Sequence, residues 1–182
     1  MKTVNIGGVG SVLLGDDGIG PYMVRLLESL YDFPANVSVQ DLGTPGLDLI
    51  VHLCAVDCLI LIDSVKNDAP PGTVTLYRKE DILRHGPAPV RIDPHSPVLS
   101  ESLLIADFAG HGANEVLLIG ITGEHFDVRP ISETARSAAP QVIAAVLAEL
   151  DRLQIPYTKR LRPATADIWW EPLAASESKS TT

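Results

Sequence analysis

The chain has 182 residues, 46% hydrophobic and 20% charged, a composition suited to one globular domain with a substantial core. Its formal net charge of -9 argues against a duplex nucleic acid or an anionic membrane surface as partner. No basic segment leads into an apolar run at the start, no apolar run reaches ~18 residues, and Cys54 and Cys58 are too few for a disulfide framework, so a reduced, cytoplasmic, monomeric protein is expected.

Taken in order, Lys2 to Gly8 reads as a short buried strand that leaves through a glycine cluster, Gly7-Gly8-Val9-Gly10. Two adjacent acids, Asp16 and Asp17, then precede a helix from Pro21 to Leu30, with Tyr22, Met23, Leu26, Leu27 and Leu30 on its core face. Asn36 to Gln40 reads as a second strand that ends in the turn Asp41-Leu42-Gly43-Thr44-Pro45-Gly46. A short helix is expected over Leu47 to Cys54. Cys58 to Ile62 is a continuous apolar run, the mark of a central strand buried on both faces, ending at Asp63-Ser64. Pro70-Pro71-Gly72 is a turn, and Thr73 to Tyr77 an alternating strand nearer an edge.

Arg84 to Ser100 reads as a long loop rich in proline and histidine, a length that within a compact domain is often functional. Leu99 to Ala109 is expected as a helix capped by Ser100, Glu115 to Thr122 as another central strand, and Ser132 to Leu153 as a long helix. Ser132 caps that last helix, Val142, Val146, Leu150 and Leu153 form its apolar stripe, and Pro140 bends or interrupts its first half. A single domain is expected over 1–155. The remainder, 156–182, is expected as a partly disordered tail, almost all polar from Ser176 on.

Strands that alternate with helices imply an α/β fold. A three-layer sandwich is expected, with a mostly parallel twisted sheet of about five strands and helices on both faces. In such sheets the active crevice lies beyond the carboxyl ends of the strands. Asp16 and Asp17 follow the first strand, Asp41 the second and Asp63 the central one, and His95 lies in the long loop. These acids and the histidine therefore converge on one edge of the sheet. Carboxylate and imidazole suit nickel, zinc or a similar divalent ion. Each residue also has a plainer reading. Asp16 or Asp17 caps the helix, Asp63 terminates a strand and bonds loop amides, and His95 is a surface histidine.

Other chemistries fit less well. Gly8-Val9-Gly10 sits as in a dinucleotide-binding turn, with Asp41 where a ribose-binding acid belongs, but position 13 is Leu13 instead of glycine, and the acid pair would face a pyrophosphate. No Lys-Ser or Lys-Thr follows Gly15, so a triphosphate loop fails, and no Gly-x-Ser-x-Gly elbow is present. Cys54 and Cys58 read as core packing. Among the other histidines only His125, just past a strand end, invites attention. Trp169-Trp170 reads as a docking element or as exposed aromatics.

Gly8-Val9-Gly10-Ser11-Val12-Leu13-Leu14-Gly15-Asp16-Asp17-Gly18-Ile19-Gly20 resembles the N-terminal signature of the [NiFe]-hydrogenase maturation endopeptidases. Asp41 to Gly46 resembles their second glycine motif. Leu61-Ile62-Asp63-Ser64-Val65 with Pro71-Gly72-Thr73 resembles their central strand and following turn. Asp93-Pro94-His95 resembles their histidine loop, and Leu118-Ile119-Gly120-Ile121 with Ser132 their C-terminal half. The resemblance runs in order over roughly residues 3 to 150.

It implies a three-layer, phosphorylase/hydrolase-like α/β fold and an aspartyl-type processing endopeptidase. Such an enzyme removes a short C-terminal extension from the hydrogenase large-subunit precursor once nickel has been inserted. Carried over by motif position, the metal-binding and catalytic set is Asp17, Asp63 and His95, with Asp16 and Asp41 as auxiliary candidates for a general base. Asp41, Gly43 and Thr44 are implied in substrate recognition. The nickel is supplied by the precursor, the expected partner. A non-proteolytic nickel-checking chaperone, or a related peptidase with another protein substrate, is the alternative. This chain departs from the family pattern at Ser11, where asparagine is usual, at Asp17, where some members carry glutamate, at Ser96-Pro97-Val98 after the histidine, and in the tail beyond Pro156.

Overall fold

A computed structural model describes residues 1–84, 91–92 and 96–170. In chain order the elements are β1 (Val4–Val9), a 3-10 turn (Gly15–Gly18), α1 (Ile19–Leu30), β2 (Tyr31–Asp32) and β3 (Val37–Gly43). A second 3-10 turn (Gly46–Asp48) leads into α2 (Leu49–Cys54), followed by β4 (Cys58–Lys66), β5 (Val74–Arg78) and α3 (Lys79–Arg84). Then come β6 (Arg91–Ile92), α4 (Ser96–Phe108), β7 (Glu115–Thr122), α5 (Glu133–Ser137), α6 (Ala139–Arg152) and β8 (Thr158–Lys159).

The main sheet has the order β3-β1-β4-β7-β5, and β6 adds to the end of β4. β1 pairs in parallel with β3 and β4, and β4 in parallel with β7, while β5 runs antiparallel to β7. Every parallel strand therefore ends on the same edge of the sheet. The period of two divides β4 between two cores. Cys58, Ile60 and Ile62 pack with Met23 and Leu27 of α1 and Val142, Val146 and Leu150 of α6. Leu59, Leu61 and Val65 pack with Leu53 of α2 and Leu99 and Leu103 of α4. The three-layer α/β expectation holds. Among the described residues no helix is long and apolar enough to cross a membrane.

Several boundaries differ from the sequence reading for identifiable reasons. β4 continues to Lys66 because β7 stays beside it through Val65↔Thr122 and β6 pairs with its last two residues. Asp63 and Ser64 are thus inside the strand and buried, at 7% and 0% exposure. Of the two outcomes expected at Pro140 the interruption is the one found: the chain breaks at Ala138, and the proline sits in the first turn of α6, where its missing N–H costs nothing. Ser132 caps α5 as expected, its Oγ accepting from the Ala135 N–H at 3.1 Å. α4 starts at Ser96, so Ser100 lies within the helix and does not cap it. Cys58 is a core residue whose thiol is pushed up to about 12 by burial. Cys54 is exposed, against the core-packing expectation.

Part of the expected tail is ordered. β8 pairs antiparallel with β2, the Arg160 N–H donates to the Leu30 carbonyl at 2.8 Å, and the Ala164 N–H donates to that of Ser29 at 2.9 Å. Tyr157 meets Tyr31 edge to face at 5.9 Å. The chain beyond Leu153 therefore closes over the end of α1, supplying pairing partners that no periodicity in its own sequence announces. Trp169 and Trp170 pack edge to face against each other, and Trp169 remains 73% exposed.

Candidate active site

The glycines of the first motif allow a close approach between strand and helix. A Cβ on Gly8 would lie 2.3 Å from the Gly20 carbonyl oxygen, and one on Gly20 would lie 2.4 Å from that of Ile62. The start of α1 therefore rests directly on the ends of β1 and β4. Gly10 has φ +127, and a Cβ there would overlap the Asp17 carbonyl oxygen at 1.8 Å.

This turn delivers two carboxylates to different tasks. Neither caps α1, whose N-cap is Gly18 with no side-chain cap bond. Asp17, 1% exposed, turns back on its own loop. Its Oδ2 accepts from the Ser11 N–H at 2.7 Å, and its Oδ1 accepts from the Ser64 hydroxyl at 3.3 Å. Asp17 is thereby held beside β4. The loop needs no asparagine at position 11, because the backbone of Ser11 closes it: its N–H reaches Asp17 and its carbonyl accepts from the Leu14 N–H at 3.1 Å.

Asp16 is fully buried and bonds to a distant loop. Its Oδ1 accepts from the Ser132 N–H at 2.7 Å, and its Oδ2 from the N–H groups of Glu124 and His125 at 2.9 and 3.2 Å. Two main-chain bonds run in the other direction, Asp16 N–H to the His125 carbonyl at 2.7 Å and Gly15 N–H to that of Arg129 at 3.0 Å. Both carboxylate oxygens are thus committed to main-chain donors, which is the environment of an anchor for the Gly123–Ser132 loop. His125 takes part through its backbone. The Lys66 ammonium lies 4.1 Å from the centre of the Phe126 ring, adding a side-chain contact to the same loop.

Asp63 and Ser64 project to opposite faces of β4, Asp63 with the parity of Leu61 and Val65, and Ser64 with that of Ile60 and Ile62. Ser64 is the residue whose part the sequence reading missed. The available signal was period two: Ser64 follows Ile62 on the α1 side, toward the acid-bearing turn. The second glycine motif joins the same edge. The Gly10 N–H donates to the Gly43 carbonyl at 2.7 Å, and Asp41 Oδ1 accepts from the Gly43 N–H at 2.9 Å. Gly43, at φ +56, and Gly46, at φ +54, occupy the left-handed region. Asp41 and Thr44 are exposed.

The structure thus places Asp17, Asp63, Ser64 and the Asp41–Thr44 turn at the carboxyl ends of β1, β3 and β4. His95 lies outside the described residues. Among the described residues no group of three histidine, cysteine, aspartate or glutamate side chains is assembled to hold a metal ion.

In a parallel-sheet sandwich the ligand crevice lies beyond the carboxyl ends of the strands, the edge at which Asp17 and Asp63 gather. Residues 21–149 match the family model described as hydrogenase maturation protease. The hydrogenase expression/formation protein HoxM of Azotobacter vinelandii is 36% identical over 120 residues, covering 66% of this chain and 58% of its relative. The hydrogenase 2 maturation protease of Escherichia coli is 32% identical over 157 residues, covering 82% and 93%. The solved structure of the hydrogenase maturating endopeptidase HybD from E. coli superposes with a TM-score of 0.80 at 28% identity, over 87% of this chain and 98% of that one. The match spans little more than half the length of two Azotobacter relatives, at 58% and 54%. The chain belongs to the hydrogenase maturation protease family. Asp41 and Asp63 fall within the residues matched by the family model, while Asp17 precedes them.

Proposed function

We propose that this protein is an endopeptidase that removes a C-terminal extension from the large-subunit precursor of a [NiFe] hydrogenase, and that it recognises the precursor by its inserted nickel. The observation that carries this reading, beside family membership, is the Ser64–Asp17 hydrogen bond. It brings the acid of the first motif to the strand that bears Asp63. Two carboxylates from separate elements then meet at one end of β4, Asp17 on the α1 side and Asp63 on the other, and His95 follows in the chain as the third expected donor.

The nickel belongs to the substrate. When present it supplies a Lewis acid that polarises the peptide carbonyl or a water beside it. The protein's part is orientation. The Ser11 N–H and the Ser64 hydroxyl fix both oxygens of Asp17, so the carboxylate meets the substrate's metal with little rotamer freedom left to lose. Asp63 approaches from the other face of β4. The turn at Asp41–Thr44 forms the wall along which the polypeptide enters.

The test mixes the protein with a nickel-loaded precursor and follows the precursor's intact mass, with nickel-free precursor as control. Loss of a C-terminal peptide only from the loaded precursor is the expected result, and an Asp17→Ala, Asp63→Ala double variant should abolish it. Equal cleavage of both precursors would sink the nickel requirement. A stable complex without any mass change would turn the reading toward a nickel-checking chaperone.

A further inference from the structure

The sheet has a free edge that leads into the candidate site. β3 is the terminal strand on its side, and no strand among the described residues pairs with its outer edge. The hydrogen-bond parity of this strand is fixed at its start. The Val4 N–H donates to the Asn36 carbonyl at 2.9 Å with Val4 in register with Val37, while the Val37 N–H turns away to the Pro34 carbonyl at 2.9 Å. In a parallel ladder the residues that bond to a neighbour alternate with residues that bond away from it. Asn36, Ser38 and Gln40 therefore face β1, and the main-chain groups of Val39 and Asp41 point outward. Gln40 and Asp41 are exposed.

Edge strands are usually blunted by lysine, proline or a covering element. Val37-Ser38-Val39-Gln40-Asp41 contains neither residue. The strand does not fade into solvent either. It passes through a register shift after Asp41 into the turn at Gly43, whose carbonyl is bonded to Gly10 of the acid-bearing loop. An open edge that terminates at a peptidase site is a template for an extended polypeptide.

We propose that the C-terminal extension of the precursor adds to the outer edge of β3 as an antiparallel strand, starting beside Gly43 and running toward Val37. This rests on the reading given under Proposed function. The extension is chosen over the segment before the cut because it is a chain end. It can lie along the sheet edge, whereas the upstream segment would carry the folded body of the precursor into the side of the sheet. The antiparallel direction lets Val39 and Asp41 each exchange N–H and C=O bonds with one residue of the extension. From Val37 to Asp41 the edge is long enough for about five residues at roughly 3.3 Å each. The contacts are main-chain contacts, so binding along this edge tolerates sequence change in the extension.

The experiment compares Val39→Pro with Val39→Ala on a nickel-loaded cognate precursor. Val39 packs part of its side chain on the first core, and both variants lose that packing, but only the proline loses the outward N–H. The ladder bonds to β1 come from Ser38 and Gln40, so proline at position 39 leaves them in place. The expected result is a rise of about tenfold in KM for Val39→Pro, the scale of one or two lost hydrogen bonds, and a near-normal KM for Val39→Ala. Amide exchange in the wild type, with a synthetic peptide of the extension's sequence, should slow at Val39 and Asp41 and not at Ser38 or Gln40. That second measurement decides the matter if Val39→Pro does not fold. A folded Val39→Pro with unchanged KM, or unchanged exchange at Val39 and Asp41 at saturating peptide, overturns the edge-strand proposal while wild-type cleavage upholds the peptidase reading. A wild type that leaves the loaded precursor intact overturns both.

Discussion

Asp16→Ala is the most informative single change near the site, because it separates an anchoring carboxylate from a proton-transferring one. The side chain is fully buried and accepts three main-chain N–H bonds, from Ser132 at 2.7 Å, Glu124 at 2.9 Å and His125 at 3.2 Å. Removing the acceptor leaves three donors to find water or stay unpaired, at about 1–3 kcal/mol each. Glu124 is exposed, so its amide rehydrates cheaply, and the expected loss is about 3–5 kcal/mol. For a chain of this size that lowers the thermal midpoint by about 10–15 °C. Urea unfolding followed by circular dichroism measures the loss, and amide exchange should accelerate across residues 123–132 before it does in the sheet. Asp16→Asn retains one acceptor oxygen and should fall between alanine and wild type. Assayed below its midpoint, it should retain most cleavage activity. A stability loss under about 1 kcal/mol for Asp16→Ala would refute the anchor argument. A folded Asp16→Asn that loses activity by ~100-fold or more would restore a proton-transfer role.

Two further outcomes follow from the same physical arguments. Gly10→Ala forces an L-residue to φ +127 and drives its Cβ to 1.8 Å from the Asp17 carbonyl oxygen, so it should cost about 3–5 kcal/mol, read by urea unfolding, and displace Asp17 with loss of cleavage. Glu149, 3% exposed, loses hydration on burial, but hydrogen bonds from Arg78 at 2.6 and 2.8 Å and from Arg152 outweigh that loss and bring its carboxyl down from 4.5 to about 2. A carboxyl lowered on folding adds stability that is complete above its ordinary value and is lost as pH falls through 4.5 toward 2. Arg78 and Arg152 are 41% and 45% exposed, so solvent screening trims the contribution to about 2 kcal/mol. The stability gap between wild type and Glu149→Gln, from urea unfolding, should narrow by most of that amount between pH 6 and pH 3, and a constant gap would contradict the assignment.

Local sequence was enough for the elements that bury one face and for the edge at which the acids gather. The five-residue apolar run at Cys58–Ile62, the 3.6-residue stripes of α1 and α6 and the glycines after β1 are each read within a short window, because burial and backbone freedom are local demands. Parallel strands all end on one edge, so a reading that gathered Asp17, Asp41 and Asp63 there was already a statement about that edge, although Asp41 and Asp63 lie within β3 and β4 and not after them. Which acid does what was decided in three dimensions. Asp16 and Asp17 are neighbours with the same side chain, yet one bonds to amides more than 100 residues away and the other to its own loop and Ser64, since the turn at Gly15–Gly18 points them in different directions. The extension of β4 past Ile62 and the closure of β8 on β2 have the same origin. Each depends on a partner strand or helix supplied by a distant part of the chain, and hydrogen bonds to such a partner leave no periodicity in the segment that receives them.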